Sequence, residues 1–328
     1  MTGKTALVTG AGGFIGSHLV EMLVKDGFNV KAFVHYNSKG SQGWLNESQP
    51  EILNNLEVLS GDMCDTEFVN NAAKSCDVIF NLGALIAIPY SYAAPRSYVQ
   101  TNVIGTLNIC EAARNHESRL IHMSTSEVYG TPESVPITEN HAINPQSPYA
   151  ATKVAADQIA LSFFRSFGTR VSIIRPFNTY GPRQSQRAII PTLLSQVLSG
   201  SKEIKVGSIL PKRDFTYVDD TARALVLAES KKDIDGETIQ LGTGKTISVG
   251  DLIEVIREIT GKEFAIKQDE NRIRPEKSEV EILLSDPSKA SNLLGWSPEI
   301  SLEMGLKKTI QWMESNMHNL NNPSNYAI

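Results

Sequence analysis

Residues 5–16 read Thr5-Ala6-Leu7-Val8-Thr9-Gly10-Ala11-Gly12-Gly13-Phe14-Ile15-Gly16, an apolar run that breaks into glycines and then turns apolar again. β-Prone residues followed at once by Gly10, Gly13 and Gly16 predict a strand, a tight turn and the opening of a helix. Glycine lets such a turn pass close to a pyrophosphate, and the free N–H groups at a helix start face the anion with partial positive charge. A glycine triplet alone is weak evidence. Its place between a strand and a helix gives it weight.

Outward from this stretch, short β-rich runs alternate with room for helices: 30–34, 57–60, 78–82, 119–124 and 171–176 follow the strand at 5–9. Alternation of this kind predicts an α/β fold, a Rossmann-type doubly wound parallel sheet. Two long intervals, 98–116 and 148–167, carry the best helices, the second opening on Ser147 as N-cap and Pro148 at the first helical position. Beyond Asn178 the chain is punctuated by proline and glycine, with helices expected at 190–198, 218–229, 249–260 and 302–317, and a polar tail at 319–328 expected to fray. We expect a dinucleotide-binding domain of residues 1–180 plus about 216–246, and a smaller C-terminal substrate-binding lobe of 181–215 and 247–328.

With 328 residues, 41% of them apolar, the chain is long enough for a sizeable core and excludes collagen-like and disordered classes. Its net charge of −5 is spread without long blocks of one sign, so neither nucleic acid nor a membrane surface is nominated as partner. No 18-residue apolar run and no signal-type N-terminus is present, which reads as a soluble cytoplasmic protein. Cys64, Cys76 and Cys110 match no zinc or redox spacing and the histidines are scattered. We therefore expect buried thiols and no metal.

Tyr149 and Lys153 lie four residues apart and share one face of the predicted helix. An ammonium beside a phenol favours phenolate, so this pair is expected to lower the tyrosine toward working pH and let it remove a hydroxyl proton. The GxxGxxG spacing of Gly10, Gly13 and Gly16 resembles short-chain dehydrogenase/reductase folds, in which an acid about 20 residues on grips the ribose of NAD. Residues 30–39 hold no acid. That absence, with His35, Asn37 and Ser38 as donors, implies NAD(P) with NADP slightly favoured.

Met123–Gly130 (MSTSEVYG) sharpens the resemblance. Epimerases of the superfamily carry small hydroxyl residues here, whereas sugar-nucleotide 4,6-dehydratases carry a glutamate. Glu127 stands in that place. Once C4 of a hexose is a ketone, the C5 proton becomes acidic, and a carboxylate can take it as the C6 hydroxyl leaves. From Lys4 to about Trp296 the chain resembles these dehydratases, and Thr125-Ser126-Glu127 is the version similar to GDP-mannose 4,6-dehydratase. Ser126 stands where glucose-type members have an aspartate acting on the leaving hydroxyl, which leaves Glu127 itself or water as the acid.

The resemblance implies the rest of the site residue by residue. Thr125, Ser126, Glu127, Tyr149 and Lys153 form the catalytic set. Phe14, Ile15, Asp62, Met63, Leu82 and Ala84 join the glycines at the cofactor, and Asn102 bends a helix in support. Ile86, Asn178, Arg183, Arg187, Arg213, Arg274 and Glu279 meet the nucleotide sugar. Residues 84–92 and 178–191 are similar to dehydratases of GDP-N-acetylglucosamine that serve bacterial legionaminic acid synthesis, so that substrate is expected. A UDP-sugar 4-epimerase is the alternative, with Glu127 idle. Relatives pair through the helices corresponding to 98–116 and 148–167, implying a homodimer.

Overall fold

The computed structural model describes residues 3–273 and 275–316. Arg274, Met317 and the tail at 319–328 lie outside the described residues. At its centre is a parallel sheet of β1 (Thr5–Thr9), β2 (Asn29–His35), β3 (Leu56–Gly61), β4 (Val78–Asn81), β5 (Arg119–Met123), β6 (Val171–Pro176) and a seventh strand, Thr238–Leu241. Their spatial order is Thr238–Leu241, β6, β5, β4, β1, β2, β3. The order reverses between β1 and β4, and in open α/β sheets the crevice at such a reversal is where ligands bind.

Every residue of β4, β5 and β6 is buried, as parallel strands covered by helices on both faces must be. One face packs under α1 (Phe14–Lys25) and the Val218–Ser230 helix, with Leu19, Leu23, Phe80 and Leu225 fully buried between them. The other packs under the Gly105–Asn115 and Pro148–Phe167 helices through Leu7, Ile79, Ile109 and Ala160. A second hydrophobic core gathers Tyr180, Leu193, Leu194, Leu252 and Leu306.

Helix Pro148–Phe167 starts and stops as its sequence requires. The Ser147 hydroxyl accepts the Ala150 N–H at 3.1 Å, Pro148 occupies the first turn, and Gly168 ends the helix in the left-handed region at φ 70°.

The interval expected as one helix at 98–116 is not uniform. Val99–Ile104 widens into a π-helical turn before regular helix resumes at Gly105. Asn102 explains the widening: its Oδ1 accepts the Leu85 N–H at 2.8 Å, and its amide donates to the Leu85 carbonyl at 2.9 Å and the Thr152 hydroxyl at 3.1 Å. A buried amide satisfied in this way offsets the helix bonds given up by the wide turn.

Candidate active site

At the C-terminal ends of β1 and β4 the glycine loop is built by close approach. Gly10 sits at φ 67°, and a Cβ on Gly16 would lie 2.1 Å from the Gly10 carbonyl oxygen, so no side chain fits there. Gly13 caps α1 with its N–H bonded to the Gly10 carbonyl at 2.9 Å; no side chain caps this helix and its first turn holds no acid. The loop thus keeps a helix start free of competing carboxylates, an arrangement that fits a dinucleotide pyrophosphate.

A cleft of about 1050 Å³ opens from this loop and runs past the end of β5 to residues of the Ile189–Leu198 helix. It brings together most of the residues expected from the sequence: Gly13, Phe14, Ile15, Leu82, Ala84, Ile86, Thr125, Glu127, Tyr149, Lys153, Asn178, Arg183, Arg187, Arg213 and Glu279 all line it. Buried Asn178 Oδ1 has no hydrogen-bond partner among the described residues, a polar atom awaiting a ligand. Gly10 and Gly16 lie beneath the loop, shaping it. Ser126 does not line the cleft and is 3% exposed, within the 3₁₀ turn Ser126–Tyr129.

Thr125 caps that turn, its hydroxyl accepting the Glu127 N–H at 3.3 Å, which sets Thr125 and Glu127 side by side at the end of β5. Tyr149 and Lys153 face them from the Pro148–Phe167 helix. Lys153 Nζ donates to the Met123 carbonyl at 2.6 Å. Burial lowers Lys153 to about 8, Asp157 opposing the fall and Arg175 adding to it.

For Tyr149 the protein's own groups work against the expected direction. Burial raises its phenol above the ordinary tyrosine range; the Thr125 hydroxyl pulls it down, while the charges of Glu127 and Asp157 push it further up. Desolvation of the phenolate outweighs any help from the neighbouring ammonium. The charge of Glu127 is thus felt at the phenol of Tyr149.

Other expected residues are otherwise engaged. Arg183, at φ 69°, reaches α1, pairing with Glu21 Oε1 at 2.7 Å and Ser17 Oγ at 3.2 Å. Arg213 pairs with Glu279 at 2.9 Å within the cleft wall. Asn37 is not a free donor: its amide donates to the Ser41 carbonyl at 2.7 Å and its oxygen accepts from the Lys39 and Ser41 N–H groups, folding its own loop. His35 and Ser38 are exposed and lie outside the cleft lining, as do Asp62 and Met63. Asp62 accepts the Cys64 N–H at 2.9 Å, and Met63 packs against Gly83 and Gly105.

Trp44 was not apparent from the sequence. Its N–H bonds the Gly12 carbonyl at 2.9 Å, its ring meets Trp312 edge-on at 5.4 Å, and it lines the cleft. Gly12 carried the only hint, since a Cβ there would meet the Gln42 carbonyl oxygen at 2.3 Å. Arg272 and Lys205 also line the cleft. Among the described residues, no group of three or more metal-ligating side chains converges, and no helix is long and apolar enough to cross a membrane.

Comparison with known proteins identifies the family of the chain. The model of the GDP-mannose 4,6-dehydratase family matches residues 7–309. A putative UDP-glucose 4-epimerase of Methanocaldococcus jannaschii is 32% identical, over 94% of this chain and 98% of its own length. The dTDP-glucose 4,6-dehydratase of Mycolicibacterium smegmatis is 30% identical, over 94% and 93%. The solved structure of UDP-glucuronic acid 4-epimerase from Bacillus cereus, in complex with UDP-glucuronic acid and NAD, superposes with a TM-score of 0.86 at 31% identity, over 95% of this chain and 99% of that one. The chain belongs to the GDP-mannose 4,6-dehydratase family, among the nicotinamide-dependent short-chain dehydrogenase/reductase enzymes that dehydrate or epimerise nucleotide sugars.

Proposed function

We propose that the protein is a 4,6-dehydratase of a GDP-hexose, GDP-N-acetylglucosamine, yielding the 4-keto-6-deoxy sugar. The observation that carries this is Glu127, a carboxylate lining the same cleft as Thr125, Tyr149 and Lys153 and bonded through its N–H to the Thr125 hydroxyl. A carboxylate in that position suits a reaction that must remove a carbon-bound proton next to a ketone.

Bound nicotinamide supplies a reversible hydride acceptor, so oxidation at C4 and reduction at C6 balance within one turnover. The chain's own residues do the rest. Thr125 polarises O4, and Tyr149 takes the hydroxyl proton there, the positive charge that oxidised nicotinamide would supply offsetting the rise that burial imposes on the phenol. Lys153 holds positive charge beneath the site. Glu127 then takes the C5 proton, the C6 hydroxyl leaves with a proton as water, and solvent protonates C5 at the end. Incubation with GDP-N-acetylglucosamine should release a 4-keto-6-deoxy product without net consumption of cofactor, and in D₂O the product should carry deuterium at C5. An intact C5–H bond after turnover would overturn the reading.

A second reading, a UDP-sugar 4-epimerase, is favoured by relatives and solved structures bearing epimerase names. Substitution of Glu127 separates the two.

The guanosine assignment is supported by the match to the GDP-mannose 4,6-dehydratase family and by Arg213, Glu279 and Arg272 in one wall of the cleft. We read residues 1–180 with about 216–246 as the cofactor domain and the remainder as the sugar-nucleotide lobe. For the cofactor we infer NADP, because β2 ends in His35 with no acid through Lys39 to repel a 2′-phosphate. Titration should give a lower Kd for NADP⁺ than for NAD⁺, and the reverse order would return the assignment to NAD. We also infer a homodimer through the helices at 98–116 and 148–167, where Val99 and Phe167 are about half exposed. Light scattering should give a mass of roughly two chains, and a single-chain mass would reject it.

A further inference from the structure

Beneath the cleft lies a buried polar chain that the proposed reaction does not use. The Gly83 N–H donates to Thr9 Oγ1 at 2.9 Å, whose hydroxyl donates to Asn81 Oδ1 at 2.8 Å. The Asn81 amide donates to His122 Nδ1 at 3.1 Å, so the ring proton of His122 is on Nε2, facing Asp157 Oδ1 at 3.4 Å. Asp157 Oδ2 accepts the Ser124 hydroxyl at 2.6 Å and Arg175 Nη2 at 2.7 Å. Arg175 Nη1 continues to the Tyr129 hydroxyl at 2.8 Å. His122, Asp157 and Arg175 are all buried.

Three elements end at this carboxylate. His122 and Ser124 come from β5 and its end, Arg175 from β6, and Asp157 from the helix that carries Tyr149 and Lys153. Asp157 follows Lys153 by four residues and so lies one turn along the same helix face. Ser124 precedes Thr125 directly, and Met123, whose carbonyl holds Lys153, precedes Ser124. The two halves of the catalytic set, Thr125 with Glu127 and Tyr149 with Lys153, are therefore tied together from below at one point.

We propose that Asp157 is a positioning residue of this site: it retains the ammonium of Lys153 in a dry environment and locks the strand end bearing Thr125 and Glu127 to the helix bearing Tyr149. The charged and titratable groups around Lys153 are Tyr149 and Asp157 on its own helix, His122 on β5, Arg175 on β6 and Glu127 on the turn after β5. Burial and Lys153 hold His122 in its neutral form, so Asp157 is the anion set against two buried cations, Lys153 and Arg175. Removing it should release the Lys153 proton more readily, and removing Arg175 should hold it more tightly.

The test is trace acetylation of the whole protein with acetic anhydride between pH 6 and 10, with Lys153 quantified by mass spectrometry against an exposed lysine. Wild type should titrate near 8. In Asp157→Asn the midpoint should fall, raising the Lys153 labelling rate severalfold at pH 7, and in Arg175→Gln it should rise. Opposed shifts in the two variants support the proposal; unchanged midpoints, with only a loss of thermal stability, overturn it. Should Asp157→Asn not fold, the Arg175→Gln midpoint decides alone, upward in favour and unmoved against. Labelling requires no substrate, so it stays readable if the dehydratase reading, on which only the catalytic consequence rests, fails. If that reading holds, the acid limb of the kcat profile should move with the Lys153 midpoint.

Discussion

Glu127→Gln should lower formation of the 4-keto-6-deoxy product by about 10³-fold, within the range that loss of a positioned general base produces. The substitution keeps the side chain's size and its place beside Thr125 but removes the proton acceptor for C5. Oxidation at C4 depends on Thr125, Tyr149 and Lys153, so it should survive. Absorbance of reduced cofactor near 340 nm should then accumulate on mixing enzyme with nucleotide sugar, and deuterium entry at C5 should stop. An epimerase would turn over at close to its original rate, because the ketone would be reduced again without any C–H removal at C5. Full retention of dehydration in the variant would remove Glu127 from the mechanism.

Asp157→Ala should be the most destabilising single change around the site, costing about 3–5 kcal/mol, because it leaves Arg175 buried without its partner carboxylate. Denaturant unfolding with an unchanged slope would measure it. The same carboxylate gives a pH signature. Burial alone would raise Asp157, but His122, Arg175 and Lys153 together hold it at about 2. Its folded value is thus below the unfolded carboxylate value of about 3.9, and the folded state binds fewer protons between the two. The stabilisation, about 2–3 kcal/mol, is present above pH ~4 and lost as pH falls through ~2. Wild type should show this acid loss and the alanine variant should lack it; equal acid profiles would show that the group is not held ionised by the fold.

How much of this was readable beforehand depends on whether the controlling contact is local. The six strands expected from alternation are all present, because apolar runs of four to six residues bounded by turn signals are a short-range signature. The seventh, Thr238–Leu241, was missed because polar Thr238 and Gln240 interrupt its apolar pattern, and it enters the sheet by pairing with β6. Ser147 and Pro148 marked the start of their helix because capping is settled within one turn. Tyr149, Lys153 and Glu127 were legible as a pattern, yet the direction in which the tyrosine titrates was not, since desolvation depends on everything packed around it. Trp44 and Asp157 were invisible for a related reason. One contacts the glycine loop across an intervening strand, and the other earns its role from groups on β5 and β6.

The wide turn at Val99–Ile104 amounts to one extra residue threaded into a helix. Taking one residue out would restore regular winding with the flanking turns left in phase, so the change would fall on the wide turn itself and on the side chain it presents. Asn102 would swing off Leu85, and the strand-end loop that frames the cleft at Ala84 and Ile86 would lose its tether. Length in this part of the chain is therefore under tighter control than composition: homologous replacements are tolerable at many of its positions, but a change in the count of residues is not.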